Sequence, residues 1–90
     1  MTKEKTKSDV FVSEKEELGK KLVLFNDEVN TFDFVIDSLV NVCNHNAMQA
    51  ENCAMIAHYK GRCSVKNGSF TELEPLHTAL SDRQLIVEIQ

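Results

Sequence analysis

The stretch KLVLFND, residues 21–27, decides the fold of this chain, because an apolar segment ends there in a polar turn. Four consecutive apolar residues, including a β-branched valine, are typical of a buried strand. Asn26 and Asp27 then favour a turn, since their short side chains hydrogen-bond to nearby backbone groups. We therefore predict a strand over residues 21–25 and a polar loop directly after it.

Two helices are predicted to follow this loop. The first begins at an Asn30 cap, with Asp33 three residues later, and its apolar residues recur three and four positions apart. The second begins at Asn46, with Gln49 in the matching capping-box position. It ends at Gly61, because glycine readily adopts the left-handed conformation that closes a helix.

The last third of the chain is predicted to add a strand, a helix and a strand. Residues 63–65 form the first of these, and Asn67-Gly68 is typical of a turn. A capping box over residues 71–74 starts the helix, which continues to about Leu80, and residues 85–89 form the last strand. The order β-α-α-β-α-β predicts an α+β fold, in which three helices pack on a three-stranded antiparallel sheet.

The chain of 90 residues is long enough for one domain only. Residues 1–19 are rich in charged and small polar side chains, so we expect a flexible N-terminal tail there and a folded core over residues 20–90. No apolar run approaches the ~20 residues that a membrane helix needs. No apolar segment follows the first residues, as a secretory signal would require. We therefore expect a cytoplasmic protein.

The charge distribution argues against nucleic-acid binding. The net charge is −4, and residues 21–90 contain five basic side chains against nine acidic ones. Nucleic-acid binding relies on clustered Lys and Arg side chains, which displace counterions from phosphates. The folded core would instead favour a partner that presents a positively charged group.

Three cysteines, Cys43, Cys53 and Cys63, are expected to be reduced thiols. A thiol enzyme that pairs Cys53 or Cys63 with His58 is one alternative. However, Cys53 and His58 are five residues apart on a helix and point in different directions, so packing thiols are the favoured interpretation. The histidines and cysteines show no paired ligand spacing, so we expect neither a metal nor another cofactor.

The polar side chains of Asn26, Asp27 and His58 suit recognition of an α-amino group. An amide oxygen, a carboxylate and an imidazole nitrogen would together accept hydrogen bonds from its three N–H groups. Ala54 and Ala57 could leave room for an incoming side chain. The same residues also fit a simple turn, a structural histidine and close helix packing, and the pattern alone does not separate these alternatives.

Three segments make the chain resemble the ClpS family, adaptors that deliver N-degron substrates to a Clp AAA+ protease. They are Leu24-Phe25-Asn26-Asp27-Glu28, Phe34-Val35-Ile36 and Ala57-His58-Tyr59-Lys60-Gly61-Arg62. The resemblance covers about residues 21–66, with a weaker match in the last strand. It implies a protein that binds and delivers substrates and is not an enzyme.

The resemblance also implies roles for individual residues. Asn26, Asp27 and His58 match the positions that hold the free α-amino group of the substrate. Glu72 and Glu74 are candidates for contact with the N-domain of the Clp AAA+ ATPase, which is the expected partner besides the N-degron substrates. The protein is expected to be monomeric. The pocket for the large hydrophobic first side chain is implied to be formed by Asn30, Phe32, Val35, Ala54, Met55, Ala57 and Leu85.

Three positions depart from the family pattern. Glu28 replaces a second aspartate, Phe32 replaces the methionine that gates the pocket, and Ala54 replaces a larger methionine. These changes leave the preferred first residue of the substrate open. A second interpretation is a general protein-interaction module of the same fold, similar to a ribosome-stalk protein and without selectivity for the first residue.

Overall fold

The order of helices and strands confirms the expected α+β fold. The computed structural model describes residues 19–90, so the tail expected over residues 1–19 lies, apart from Gly19, outside the described residues. Three helices and a three-stranded antiparallel sheet alternate in the predicted order. The bounds are β1 (Lys20–Phe25), α1 (Phe32–Cys43), α2 (Ala47–Lys60), β2 (Arg62–Gly68), α3 (Phe70–Asp82) and β3 (Val87–Ile89).

The apolar strand β1 lies at the centre of the sheet, in the order β2-β1-β3. Leu22 faces Ile89 and Leu24 faces Val87 across the pair with β3, while Leu24 also faces Cys63 on β2. Leu22, Val23 and Leu24 are each exposed by 5% or less, so side chains on both faces of this strand are buried, which explains why the segment is apolar almost throughout. The loop after Phe25 therefore leaves the sheet from its middle.

Leucines from the sheet and two helices form the centre of the core. Leu22, Leu24, Leu39, Leu73 and Leu80 are each exposed by 2% or less. Burial of each such side chain contributes roughly 1.5–3 kcal/mol. Helix α2 contributes only small side chains to the buried set: Ala50, Ala54 and Ala57. Because these side chains are small, α2 can lie close to its neighbours.

Helix α1 is capped by Thr31, so the prediction of an Asn30 cap was wrong. The Thr31 hydroxyl accepts a hydrogen bond from the Phe34 N–H over 3.1 Å. The Asn30 amide is engaged elsewhere, because it donates to the Asp27 carboxylate and to the Gln84 carbonyl oxygen. The two candidate caps are adjacent, and the one that forms depends on these tertiary contacts.

Both predicted ends of α2 are confirmed. The Asn46 side chain accepts a hydrogen bond from the Gln49 N–H over 2.7 Å, and Gln49 completes the capping box. At the other end, Gly61 has φ 98° and its N–H donates to the Ala57 carbonyl oxygen. The left-handed conformation explains the glycine, because a Cβ atom is unfavourable there.

Helix α3 starts earlier than expected, and the predicted turn at Asn67-Gly68 was wrong. Both residues belong to β2, where Asn67 pairs with Lys21 and Gly68 with Lys20. The helix cap is therefore Ser69 and not Thr71. The Ser69 hydroxyl accepts from the Glu72 N–H over 3.1 Å, and the Glu72 carboxylate accepts from the Ser69 N–H over 2.9 Å.

The last strand is shorter than the predicted segment 85–89. Leu85 is buried, and its N–H donates to the Leu80 carbonyl oxygen, so it helps to close the end of α3. Ile86 still accepts a hydrogen bond from the Phe25 N–H over 2.9 Å. Among residues 19–90, no helix combines the length and the hydropathy needed to cross a membrane.

Candidate functional site

The loop after β1 is organised by the carboxylate of Asp27. One of its oxygens accepts hydrogen bonds from the backbone N–H groups of Val29 and Asn30, over 2.8 and 2.7 Å. The other accepts from the Asn30 amide over 3.2 Å. This is the local bonding that aspartate favours in turns, and it gives the loop a fixed shape.

The same hydrogen bonds keep Asp27 charged. Partial burial acts to raise the pKa of the Asp27 carboxyl, but the bonds from Asn30 and Val29 together outweigh it. The net pKa is therefore below the ordinary value of 3.8. A hydrogen-bonded carboxylate favours its ionised form. The loop thus presents a negative charge at neutral pH.

Asn30 connects this loop to the end of α3. Its amide also donates to the Gln84 carbonyl oxygen over 2.9 Å, across 54 positions of sequence. Gln84 has a left-handed backbone with φ 71°, in the turn that follows the helix. The Asn30 amide consequently binds both to Asp27 within the loop and to Gln84 outside it.

Asn26 and His58 are brought together by the end of α2. The Asn26 N–H donates to the Gly61 carbonyl oxygen over 2.9 Å, and His58 lies three residues before Gly61. Both side chains are exposed. Within residues 19–90, neither side chain makes a hydrogen bond. Their acceptor atoms are therefore available to a ligand.

Two aromatic rings fix the surroundings of the His58 imidazole. The Phe32 ring meets it edge-on, with centroids 6.2 Å apart and planes at 87°. The Tyr59 ring lies on another side at 4.8 Å and 78°. Edge-to-face contacts of this kind are favourable. Phe32 therefore links the start of α1 to the end of α2 across the site.

A cavity of about 240 Å³ lies between the β1 loop, α1 and α2. Its volume is below the roughly 300–1,000 Å³ of sites for drug-sized ligands, so it suits one side chain and a small polar group. The lining combines polar groups of the loop with apolar side chains of the sheet and helices. It consists of Leu24, Phe25, Asn26, Asp27, Glu28, Asn30, Phe32, Val35, Ala54, Ala57 and His58.

Most of the residues that the sequence pointed to share this cavity. Asn26, Asp27 and His58 line it, and so do five of the seven residues expected around the first side chain. The other two lie elsewhere: Met55 is 42% exposed outside the lining, and Leu85 is buried in the core.

Leu24 and Phe25 also line the cavity, although the sequence did not point to them as site residues, and Glu28 lines it beside Asp27. The available signal was their position in the chain, directly beside Asn26 and Asp27 at the end of a strand. Side chains at a strand end share the site that the following loop forms.

Of the two acidic residues of α3, Glu72 is bound in its capping box, and Glu74 is exposed.

Two of the three cysteines, Cys43 and Cys53, lack the raised reactivity of a catalytic nucleophile. Burial and the neighbouring Cys63 thiol raise the pKa of Cys53 to about 12. Burial also raises the pKa of Cys43, against the smaller opposing effect of Lys66. A thiol of raised pKa contains little of the reactive thiolate at neutral pH. In the described part of the chain, no three His, Cys, Asp or Glu side chains are arranged to hold a metal.

Comparison with known proteins points to one family. The family model of the ATP-dependent Clp protease adaptor protein ClpS matches residues 15–85. Among curated relatives, the ATP-dependent Clp protease adapter proteins ClpS of Campylobacter jejuni strain 81-176 and of Campylobacter jejuni subsp. doylei are each 39% identical over 41 residues. These alignments cover 46% of this chain and 43% of each relative, so the chain spans less than half the length of the curated relatives it matches. Because the family model covers most of the chain, this protein belongs to the ClpS family of Clp protease adaptors.

Proposed function

We propose that this protein captures the first residue of a substrate polypeptide and delivers the substrate to a Clp AAA+ ATPase for proteolysis. The observation that carries the proposal is the cavity itself, about 240 Å³ in volume, whose lining combines polar acceptors with small apolar side chains. In the proposed complex, the acceptors hold the free α-amino group and the apolar part receives a large hydrophobic first side chain.

The polar part of the cavity matches the needs of an ammonium group. Such a group has three N–H donors and is costly to bury without partners. Asn26 and His58 each offer a free acceptor, and Asp27 supplies the negative charge. A carboxylate has about four acceptor positions, and three are occupied within the loop, so one remains. Hydrogen bonds to a charged group are worth ~1.5–3 kcal/mol each.

The apolar part provides the second half of the recognition. Val35, Ala54 and Ala57 belong to the lining, and so does Phe32, whose ring also contacts His58. Full burial of a large apolar side chain contributes about 1.5–3 kcal/mol. Acetylation would remove both the charge and a donor of the α-amino group, so the polar groups of the cavity would bind an acetylated substrate poorly.

The proposed partner on the delivery side is the N-domain of the ATPase. Membership of the Clp adaptor family supports this partner. For the contact surface we propose the acidic side chains of α3, with Glu74 as the freer of the two because the Glu72 carboxylate is held in its capping box. The protein would act as a monomer in the cytoplasm, without nucleic acid and without catalysis of its own.

The deciding experiment is fluorescence anisotropy with short labelled peptides that begin with Phe, Leu or Met, each in a free and an N-acetylated form. The free peptides are expected to bind and the acetylated ones to lose most of their affinity. Equal binding of the two forms would refute the proposal, since no selectivity for the α-amino group would then exist.

A second candidate function is a general protein-interaction module without this selectivity. It is favoured by the exposed apolar side chains of α2, namely Met48, Met55, Ile56 and Tyr59, which are 42–75% exposed. Exposed apolar patches often mark interaction surfaces. An Ile56→Asp variant distinguishes the two functions. Loss of substrate capture by that variant, with no effect of acetylation, would support the module.

A further inference from the structure

Two cysteines from different elements converge on one backbone oxygen. The Cys53 sulfur on α2 lies 4.0 Å from the Ser64 carbonyl oxygen, and the Cys63 sulfur on β2 lies 3.5 Å from it. The neighbouring Cys63 thiol also contributes to the raised pKa of Cys53, so the two groups influence each other. Both are unpaired by any disulfide and half-buried. Neither has a role in the proposed binding of a substrate.

We propose that Cys53 and Cys63 are a modification site, at which a peroxide oxidises the two thiols to a disulfide that joins α2 to β2. The pair is ten positions apart in sequence and meets only because the chain reverses direction at Gly61. Because both sulfurs approach the Ser64 carbonyl oxygen, the two side chains lie on the same side of the junction between α2 and β2, as a disulfide between them requires.

The chemistry balances with hydrogen peroxide as the oxidant. The thiolate of one cysteine attacks the O–O bond, so a sulfenic acid forms and hydroxide leaves, which takes up the proton that the thiol released. The second thiol then attacks this sulfur, and the S–S bond forms as water leaves. Two thiols are oxidised by two electrons, and one peroxide is reduced to two waters.

The third cysteine provides an internal control. Cys43 is 1% exposed at the end of α1, and the Lys66 ammonium donates to its backbone carbonyl oxygen rather than to its thiol. An oxidant in solution has little access to a thiol buried to this degree. Oxidation should therefore spare Cys43 while it joins the other two.

The proposed disulfide would link two elements whose neighbouring residues line the cavity. Cys63 faces Leu24 in the sheet, and Cys53 directly precedes Ala54 in α2, while Leu24 and Ala54 both line the cavity. A covalent link at this point would hold α2 against β2. Such links stabilise proteins mainly because they restrict the unfolded chain. The oxidised protein should therefore unfold at a higher urea concentration than the reduced one.

The test is thiol mapping of the full chain after reduction and controlled treatment with hydrogen peroxide. The intact mass should fall by roughly 2 Da as two thiol hydrogens are lost. The number of alkylatable thiols should fall from three to one, and dithiothreitol should reverse both changes. The Cys43→Ala variant should behave like the original, and in it any internal disulfide can only join positions 53 and 63. Cys53→Ser and Cys63→Ser should each prevent this internal disulfide, so that the remaining thiols stay alkylatable.

Several results would overturn the proposal. They are three alkylatable thiols after treatment, a disulfide that involves Cys43, or mass increases from separate sulfinic acids without a cross-link. The measurement on the original chain does not depend on how well the serine variants fold. The outcome is also independent of peptide binding, so it stands or fails separately from the proposed adaptor function.

Discussion

Asn26 is fixed to Gly61 by a backbone hydrogen bond of 2.9 Å, and this bond positions the candidate site. It attaches the loop after the central strand to the residue that ends α2. The Asn26 side chain takes no part in the bond, so the structural role of the backbone can be separated from the proposed recognition role of the side chain. Substitution of the side chain should therefore affect a ligand more than the fold.

Asn26→Ala is the direct test of this separation. The substitution removes the amide oxygen but keeps the N–H that donates to Gly61. We expect affinity for a Phe-initiated peptide to fall about 10-fold or more, as the loss of one charge-assisted hydrogen bond implies. The urea midpoint should stay nearly constant. Anisotropy and chemical denaturation check the two parts, and a loss of stability without a loss of affinity would contradict the assignment.

His58→Ala should also weaken the binding of free-amino peptides by about 10-fold or more, because one acceptor for the ammonium is lost. The change also removes the edge contact with Phe32. Met55→Ala is the matched control on the same helix, since Met55 lies outside the cavity lining. Anisotropy with the same peptides should show little change for the control. An equal loss in both variants would point to a general effect on α2.

Asp27 should make the loop sensitive to acid. Its pKa in the folded protein lies below the ordinary value of 3.8, so its stabilising contribution is complete above that value. The contribution is lost as the pH falls through the lower folded value, because protonation removes the charge that the Asn30 and Val29 N–H groups stabilise. Denaturation midpoints measured between pH 2 and 6 should show this loss in the original chain and a smaller one in Asp27→Ala.

The Asp27 charge should also give peptide binding a salt dependence. A partly exposed carboxylate attracts an ammonium less strongly when ions screen it. We expect Asp27→Ala to lower the affinity for free-amino peptides at low ionic strength and to reduce the difference between low and high salt. Anisotropy titrations at two salt concentrations measure both quantities. An unchanged salt dependence would exclude Asp27 from the contact.

Ser69→Ala tests the observed start of α3. Loss of the hydroxyl removes the bond to the Glu72 N–H, and N-cap substitutions of this kind typically cost ~1 kcal/mol. Glu74→Ala, at an exposed position of the same helix, should change the free energy of unfolding much less. Urea denaturation of both variants measures the difference. Equal stability of Ser69→Ala and the original chain would contradict the cap.

The sequence was sufficient to predict those features that local chemistry controls. The apolar strand, both ends of α2 and the element order are confirmed, because periodicity, capping residues and glycine act over a few neighbouring residues. The features that were predicted wrongly depend on distant contacts. Asn30 lost the cap of α1 because Asp27 and Gln84 engage its amide, and Gln84 is 54 positions away.

The same distinction applies to the candidate site. Asn26, Asp27 and His58 were predicted to act together because their types suit an α-amino group and their spacing resembles a family pattern, and they line one cavity. Leu85 and Met55 lie outside the cavity lining, which the sequence could not show, because residue type and approximate position in the chain do not give the direction in which a side chain points. Leu85 turns into the core as the chain leaves α3, and Met55 lies on the exposed side of α2.

The bond from the Asn30 amide to the Gln84 carbonyl oxygen joins the loop after β1 to the segment that follows α3. That bond makes the two regions one mechanical unit, although the chain separates them widely. A movement of α3 that displaced residues 83–85 would therefore also displace the loop after β1. A displacement at the end of α3 would thus change the shape of the cavity that this loop lines.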